Sequence, residues 1–258
     1  LLLDSPEWNK YDPAGFQEAN QRLHFTFSGV NADGISGDYT AGVEDQDGTC
    51  KGAIPDKVPA YVSTQDGNWT EPGTWDTYPS PGGSIPAGGP RGAIVVVEHQ
   101  VDITKDYITN YKTTIDTGEA VNGLLNVNGT YGHRLGIVEG VGTLRVERGD
   151  LPAGIYEEFF SADGGTLEYG GNSDYDVLGG ISQLNNLVFS GTGERRLANR
   201  DVGLYGNLDI TGSDNSLQVI NEHDQRLSVE GDITFTRGSF DAGSGSQARV
   251  RLTGNSRQ

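Results

Sequence analysis

A short strand motif recurs through the last two thirds of the chain and limits the folds open to it. In most copies two apolar residues are separated by one residue, which is usually polar, and glycine usually follows. Successive copies of the motif are about 20–25 residues apart. Such a period is the signature of a repeat architecture, in which neighbouring repeats must stack to bury an apolar stripe. The first apolar positions are Ile103, Leu125, Leu144, Leu167, Leu187, Leu208, Ile233 and Leu252, at successive spacings of 22, 19, 23, 20, 21, 25 and 19 residues.

The alternation within each copy indicates β-strands with one buried face. The sequence therefore predicts an all-β fold, a right-handed parallel β-helix (solenoid) preceded by an irregular N-terminal β segment. Glycine at the end of each strand is expected to supply a corner with positive φ. A β-sandwich or jelly roll, which also has closely spaced strands, stays open as the alternative.

Composition supports many short strands and turns rather than helices. Glycine accounts for 39 of 258 residues, about twice its usual share. The formal net charge is −18. Nucleic acid and anionic membrane surfaces need clustered Lys or Arg, so we expect neither as a partner. No apolar run approaches the length of a membrane-spanning helix, so the chain is not expected to span a membrane.

Three segments follow from the pattern of residues. Residues 1–60 carry no clear period and form the irregular N-terminal β and loop segment. Residues 61–92, rich in Trp, Pro and Gly, form a capping linker over the first coil. Residues 93–258 form the coils of the β-helix. Because the chain has no methionine and ends within the pattern, we expect it to be an excerpt of something longer, with further coils.

Acidic loops near the N-terminus offer a possible metal site. Asp33, Asp38, Asp45 and Asp47 place carboxylates near glycines, as calcium-binding loops do. No glutamate closes either loop in the EF-hand position, and Asp and Gly are also ordinary turn residues. Ca²⁺ is therefore a hypothesis for these loops, and no other cofactor is expected.

Exposed aromatic residues are the candidates for ligand binding. Trp69, Trp75 and Tyr78 could stack on sugar rings, because aromatic faces supply a large apolar area. The alternative interpretation is a hydrophobic cap over residues 93–104, since an uncapped solenoid end would expose its core.

No catalytic residue is predicted. Polysaccharide cleavage would need paired carboxylates or a cation-binding Asp cluster beside a basic residue. The set nearest to this chemistry is Asp174, Asp176, Arg195, Arg196, Arg200 and Asp201. Asp174 and Asp176 lie in a polar Gly-Gly-Asn-Ser loop sequence, and fold analogy is a weak argument for enzymatic function. A polysaccharide-cleaving enzyme and a carbohydrate-binding module remain the alternatives to a structural role.

Several phrases of the sequence, taken in order, resemble a recurrent block of large Bacteroidota surface proteins. The resemblance covers roughly residues 27–240. The phrases include Gly140–Val146, Leu151–Tyr156, Phe159-Phe160, Gly164–Tyr169, Leu184–Leu187, Ser190–Gly193 and Gly206–Ile210, and upstream Gly34–Gly42, Gly67–Trp69 and Thr74-Trp75.

This resemblance implies a secreted, extracellular protein displayed on the cell surface and exported by the type IX secretion machinery, a class that includes gliding-motility adhesins. It brings no catalytic residues. Its implied partners are surface glycans, other cells or substrata, and the export machinery. We therefore expect a non-catalytic structural or adhesive segment, a stalk or adhesin.

Overall fold

The computed structural model describes residues 25–30, 36–41, 58–116, 123–223, 225–243 and 249–252. The chain divides into two compact units, Leu1–Val58 and Pro59–Gln258. Strands and one short 3₁₀ helix, Pro72–Thr74, make up the regular structure of these residues. The all-β prediction is confirmed.

The strands are, in chain order, β1 (Phe25–Val30), β2 (Ser36–Ala41), β3 (Ala60–Ser63), β4 (Gly67–Asn68), β5 (Trp75–Thr77), β6 (Ala93–Val97), β7 (Gln100–Asp102), β8 (Asn110–Ile115), β9 (Leu124–Asn126), β10 (Arg134–Glu139), β11 (Thr143–Val146) and β12 (Ala153–Ile155). They continue with β13 (Thr166–Tyr169), β14 (Tyr175–Val177), β15 (Gln183–Leu184), β16 (Asn186–Gly191), β17 (Glu194–Leu197), β18 (Val202–Leu204), β19 (Leu208–Gly212), β20 (Gln218–Ile220), β21 (Arg226–Val229), β22 (Ile233–Arg237), β23 (Ser239–Asp241) and β24 (Arg249–Leu252).

The first unit contains one antiparallel pair among its described residues. Strand β1 pairs with β2 in a register that joins Phe25 to Ala41 and Val30 to Ser36. The alternating sequence around Phe25 and Phe27 predicts β1, whereas β2 has no comparable apolar alternation. Strand β2 is defined by its backbone pairing with β1, which the pattern of apolar residues in the sequence does not reveal.

The second unit is a parallel β-solenoid, as predicted. One long sheet stacks eight strands in the order β22-β19-β16-β13-β11-β9-β7-β4, and all of its pairings are parallel. The chain makes seven turns between the first and last of these strands. Consecutive parallel strands in this order are not compatible with the sandwich alternative, whose sheets are antiparallel.

The cross-section of the coil changes along its length. A six-stranded sheet, here called the N-terminal sheet, accompanies the first coils in the order β12-β10-β8-β6-β3-β5. Beyond β12, two four-stranded sheets replace it, in the orders β14-β17-β20-β23 and β15-β18-β21-β24. The later coils are therefore three-sided, with the long sheet as one side.

One column of inward residues runs the length of the long sheet. Its register joins Val101, Leu125, Leu144, Leu167, Leu187, Leu208 and Ile233. Six of the eight sequence anchors thus occupy one column. The two end anchors were wrong. Val101 rather than Ile103 pairs with Leu125, and Leu252 pairs with Val229 in a different sheet.

Parallel pairing begins earlier than residue 93. Strand β3 pairs with β6, and β4 pairs with β7, so the first coil begins at Ala60 and continues into the segment 61–92 that the sequence assigns to a cap. This coil carries only short strands, and one of its inward residues is the polar Ser63, so no period marks it. Strand β5 then pairs antiparallel with β3 at the outer edge of the N-terminal sheet.

Glycine serves the corners in two different ways. Gly191 has φ +77°, and a Cβ there would lie 1.9 Å from the Gly171 carbonyl oxygen. Gly149 ends a predicted strand without positive φ, yet a Cβ would lie 2.1 Å from the Asp176 carbonyl oxygen. The expected reason, positive φ, holds at Gly191, whereas close approach of the next coil explains Gly149.

Candidate functional site

Polar side chains on the outer face of the long sheet bond from coil to coil. The Asn126 amide donates a 2.7 Å hydrogen bond to Asp102 and a 3.0 Å bond to Asn128. The Asn128 amide in turn donates to the Ile103 carbonyl at 3.1 Å. The bonds to Asp102 and to the Ile103 carbonyl join neighbouring coils, whereas the bond between Asn126 and Asn128 lies within one coil.

Charged residues continue this pattern further along the same face. Arg145 Nε lies 3.5 Å from Glu168 Oε1, and Arg145 Nη2 lies 3.4 Å from Glu147. The Ser190 hydroxyl donates to the same Glu168 carboxylate. Across the N-terminal sheet, Lys112 Nζ lies 2.7 Å from Glu139. Glu168 and Glu139 are therefore paired with basic residues of a neighbouring coil, whereas Glu147 is paired within its own coil.

The Asp/Arg set of the enzyme alternative is divided between the surface and the core. Strand β17 alternates Glu194 outward, Arg195 inward and Arg196 outward. Arg196 forms ion pairs with Glu194 at 2.6 Å and with Asp176 at 3.9 Å. Asp174 and Asp176 are exposed, and Asp174 Oδ1 accepts the Glu194 backbone N–H at 2.8 Å.

Farther along the chain, Arg200 is exposed, and Asp201 accepts the Arg226 backbone N–H at 2.8 Å. The members of the set therefore do not converge on one solvent-facing point.

Arg195 is fully buried, and its charge meets backbone carbonyls instead of a carboxylate. Its Nη1 donates to Ser173 O at 2.7 Å, and its Nη2 donates to Gly170 O at 2.7 Å. The guanidinium carbon lies 4.3 Å from the ring centre of Tyr175. Burial lowers the pKa of Arg195, while Tyr175 opposes this shift. Sequence reasoning placed this side chain among polar surface residues, although its position two residues before the buried Leu197 is a signal for the core.

Ser63 and His99 form a Ser–His contact that sequence reasoning did not single out. The Ser63 hydroxyl oxygen accepts backbone N–H groups of Glu98 at 2.8 Å and His99 at 3.1 Å. His99 Nδ1 lies 2.9 Å from the Ser63 carbonyl, which can only accept a proton, so Nδ1 is the donor there. A protonated Nδ1 is not a base for the hydroxyl, and the pair fixes a corner of the coil.

His133 is buried at the corner between the long sheet and the N-terminal sheet. Its Nδ1 accepts the Ile108 backbone N–H at 3.1 Å, and its Nε2 lies 2.9 Å from the Thr130 hydroxyl. That hydroxyl donates to the Val127 carbonyl, so its oxygen accepts from Nε2–H. Burial lowers the pKa of His133, against the charge of Asp106.

The tryptophans of the predicted sugar site lie in the core. Trp69 is 0% and Trp75 is 4% exposed, and their rings meet edge to face at 4.9 Å between centroids. Trp69 Nε1 donates to Pro90 O at 3.1 Å, and Trp75 Nε1 donates to Trp69 O at 2.9 Å. Rings buried this deeply have no face open to a sugar. They fit the capping interpretation, whereas Tyr78 is 55% exposed.

The four Asp residues of the calcium hypothesis belong to the N-terminal part of the chain. Asp33, Asp45 and Asp47 lie outside the described residues, and Asp38 is opposite Ser28 in the β1–β2 pair. Within the described ranges, no group of three or more His, Cys, Asp or Glu side chains could hold a metal ion. Calcium binding stays a prediction.

Two exposed tyrosines, Tyr107 and Tyr131, occupy equivalent places in consecutive coils. Their ring centroids are 5.3 Å apart. They are 24 residues apart, the same offset that joins Val101 to Leu125 in the long sheet. Sequence reasoning missed the pair. The signal was present, because each tyrosine follows an inward residue, Ile103 or Val127, by four positions.

Comparison with protein-family models, curated proteins and solved structures finds no match. In the part of the chain that the structure describes, no helix has both the length and the apolar character needed to cross a membrane.

Proposed function

We propose that this chain is a non-catalytic structural and adhesive segment of an extracellular protein displayed on a bacterial surface. One observation carries the proposal. The inward column from Val101 to Leu208 stays buried through six consecutive strands of the long sheet, so the solenoid has a continuous core. Seven steps of about 4.8 Å extend the sheet over about 34 Å.

Such a coil is suited to holding two points apart. Each coil forms backbone hydrogen bonds with both of its neighbours. On the outer face, the hydrogen bond between Asn126 and Asp102 and the ion pair between Arg145 and Glu168 also join adjacent coils. The net charge of −18 disfavours association between neighbouring copies. Cell-surface display, type IX export and a role in gliding motility rest on the sequence resemblance and belong to the same proposal.

Protease shaving of intact source cells, followed by mass measurement of the native polypeptide, tests this function. We expect the segment to be released from the cell surface as part of a polypeptide much larger than 27.5 kDa. A free, soluble product near 27.5 kDa would contradict the proposal.

The enzyme alternative has its own test. Neutral and acidic polysaccharides incubated with the purified chain should yield no new reducing ends. Release of products that is lost in an Asp174→Asn/Asp176→Asn variant would favour the enzyme instead. Product release that persists in this variant would point to a contaminating glycan-cleaving activity. Purifying the chain from a different expression host would show whether the activity belongs to a contaminant.

A further inference from the structure

Tyr107 and Tyr131 project together from one corner of the solenoid. Tyr107 is 62% and Tyr131 48% exposed, and the planes of their rings are 75° apart. The two backbones are tied, because the Tyr107 N–H donates to the Tyr131 carbonyl at 3.0 Å. The pair is therefore a fixed feature of the surface and not two independent side chains.

The backbone is strained in order to hold Tyr107 there. Its φ is +61°, a left-handed conformation that is a clear outlier for a bulky residue. The neighbouring coil makes room with Gly132, since a Cβ at that position would lie 2.4 Å from Tyr107 Cδ1. Because the ring stays mostly exposed, its burial does little to offset this backbone strain. Backbone strain that persists in this way is typical of functional positions.

Polar groups lie beside the two rings. Asp106 Oδ1 accepts the Tyr131 backbone N–H at 3.0 Å. A hydrogen bond with the Tyr107 side chain, followed by the charges of Tyr107 and Asp106, raises the pKa of Tyr131. Two hydroxyls and a carboxylate therefore sit next to exposed aromatic faces. Aromatic faces bind the apolar C–H faces of sugar rings, and hydroxyl and carboxylate oxygens bind sugar hydroxyls.

We propose that Tyr107, Tyr131 and Asp106 form a binding site for a neutral glycan. Asp106 and the net charge of −18 disfavour anionic polysaccharides, so the ligand class is neutral. A neutral glycan bound here would be the ligand of the proposed adhesive function, and the proposal rests on the proposed function only in this point. The solenoid could serve as a spacer without this site.

Isothermal titration calorimetry of the purified 258-residue chain with cellohexaose, xylohexaose and mannohexaose tests the proposal, with hexagalacturonate as the anionic comparison. We expect at least one neutral hexasaccharide to bind with a dissociation constant of about 1 mM or tighter. Tyr131→Ala and Tyr107→Asn should each weaken this binding at least tenfold. Asparagine tolerates positive φ, so Tyr107→Asn removes the ring and keeps the backbone.

Tyr78→Ala is the matched control, because Tyr78 is similarly exposed and was itself a sugar-stacking candidate. It should bind the glycan as the unmodified chain does. Thermal melts separate binding from folding: Tyr107→Asn should melt at the same temperature as the unmodified chain or higher, since the strain is relieved.

Binding of none of the neutral probes, preference for hexagalacturonate, or loss of binding in Tyr78→Ala in place of the Tyr107 and Tyr131 variants would overturn the proposal. These outcomes are independent of the cell-shaving result, so failure of the site and failure of the surface function can be told apart.

Discussion

The guanidinium of Arg195 lies 4.3 Å from the ring centre of Tyr175, and the two residues are direct partners in adjacent parallel strands. No carboxylate is hydrogen-bonded to the guanidinium among the described residues. Five backbone carbonyls accept its protons instead, those of Gly170, Gly171, Ser173, Ser190 and Glu194. Arg195 therefore stabilises, through these hydrogen bonds, the backbone at the corner where the three-sided coils begin.

Replacing Arg195 by Ala should lower the free energy of unfolding by about 3 kcal/mol or more, because a large buried side chain is lost and a buried carbonyl left without a donor costs about 1–3 kcal/mol. The carbonyls of Gly170 and Gly171 keep other donors, the Tyr175 hydroxyl and the Thr192 N–H. Urea denaturation of the purified variant measures this. Arg196→Ala is the matched control on the next residue. Its side chain points away from the core and its ion pairs are partly open to solvent, so stability should change little. Equal effects of the two substitutions would contradict the assignment.

His133 should make the solenoid sensitive to mild acid. Its pKa is lowered in the folded chain from the ordinary 6.5, chiefly by burial, so as pH falls the unfolded chain takes up the proton first. Its contribution to stability is full above about pH 6.5 and decreases as pH falls toward the folded-state pKa. Protonation at Nδ1 would also oppose the N–H of Ile108.

The measurement is the free energy of unfolding between pH 7.5 and 5. Asp106, whose charge raises the pKa of His133, and Arg148, whose charge lowers it, are the charged groups that act on this histidine. His133→Gln should be less stable at pH 7.5 and should show a smaller loss on acidification. An unchanged slope in this variant would show that His133 is not the responsible group.

Trp75→Ala should destabilise the solenoid as a whole. The indole is buried against Trp69 and bonded to its carbonyl, and removing a buried aromatic side chain typically costs about 3–5 kcal/mol. A thermal melt of the variant should show one cooperative transition at a lower temperature. Tyr78→Ala, three residues away and exposed, should melt like the unmodified chain. A Trp75→Ala melt that matched it would reject the capping role.

Two glycines, each three residues beyond the end of a strand of the long sheet, should respond differently to alanine. At Gly149 a Cβ would lie 2.1 Å from the Asp176 carbonyl, so Gly149→Ala must displace a neighbouring coil and should be clearly destabilising. At Gly129 a Cβ meets nothing within 4 Å, so Gly129→Ala should be neutral or stabilise by up to about 1 kcal/mol. Chemical denaturation of both variants tests this pair. Similar losses at both positions would show that glycine acts there through flexibility alone.

The middle of the solenoid was predictable from the sequence because its signal is local. From Leu125 to Ile233, each anchor and the second residue after it are apolar, and the spacing between anchors varies little enough to reveal stacking. The ends were not predictable in this way. Val101 and Ile103 both point inward, so alternation alone could not decide which of them aligns with Leu125.

The site residues illustrate the same limit. Trp69 and Trp75 could be read from sequence either as a cap or as a sugar platform, and their burial decides between these interpretations. Tyr107 and Tyr131 are adjacent only because the coil brings residues 24 positions apart into neighbouring places.

By itself, the sequence determined that this chain forms stacked, strand-rich coils, because alternation and glycine are local properties that act through backbone geometry. The tertiary structure decided which residues meet across coils: that Arg195 enters the core, that β3 and β4 begin the stack, and that two tyrosines share a corner. The physical reason is register. One residue of shift exchanges the buried and exposed faces of a strand, and register is set by pairing between coils rather than within them.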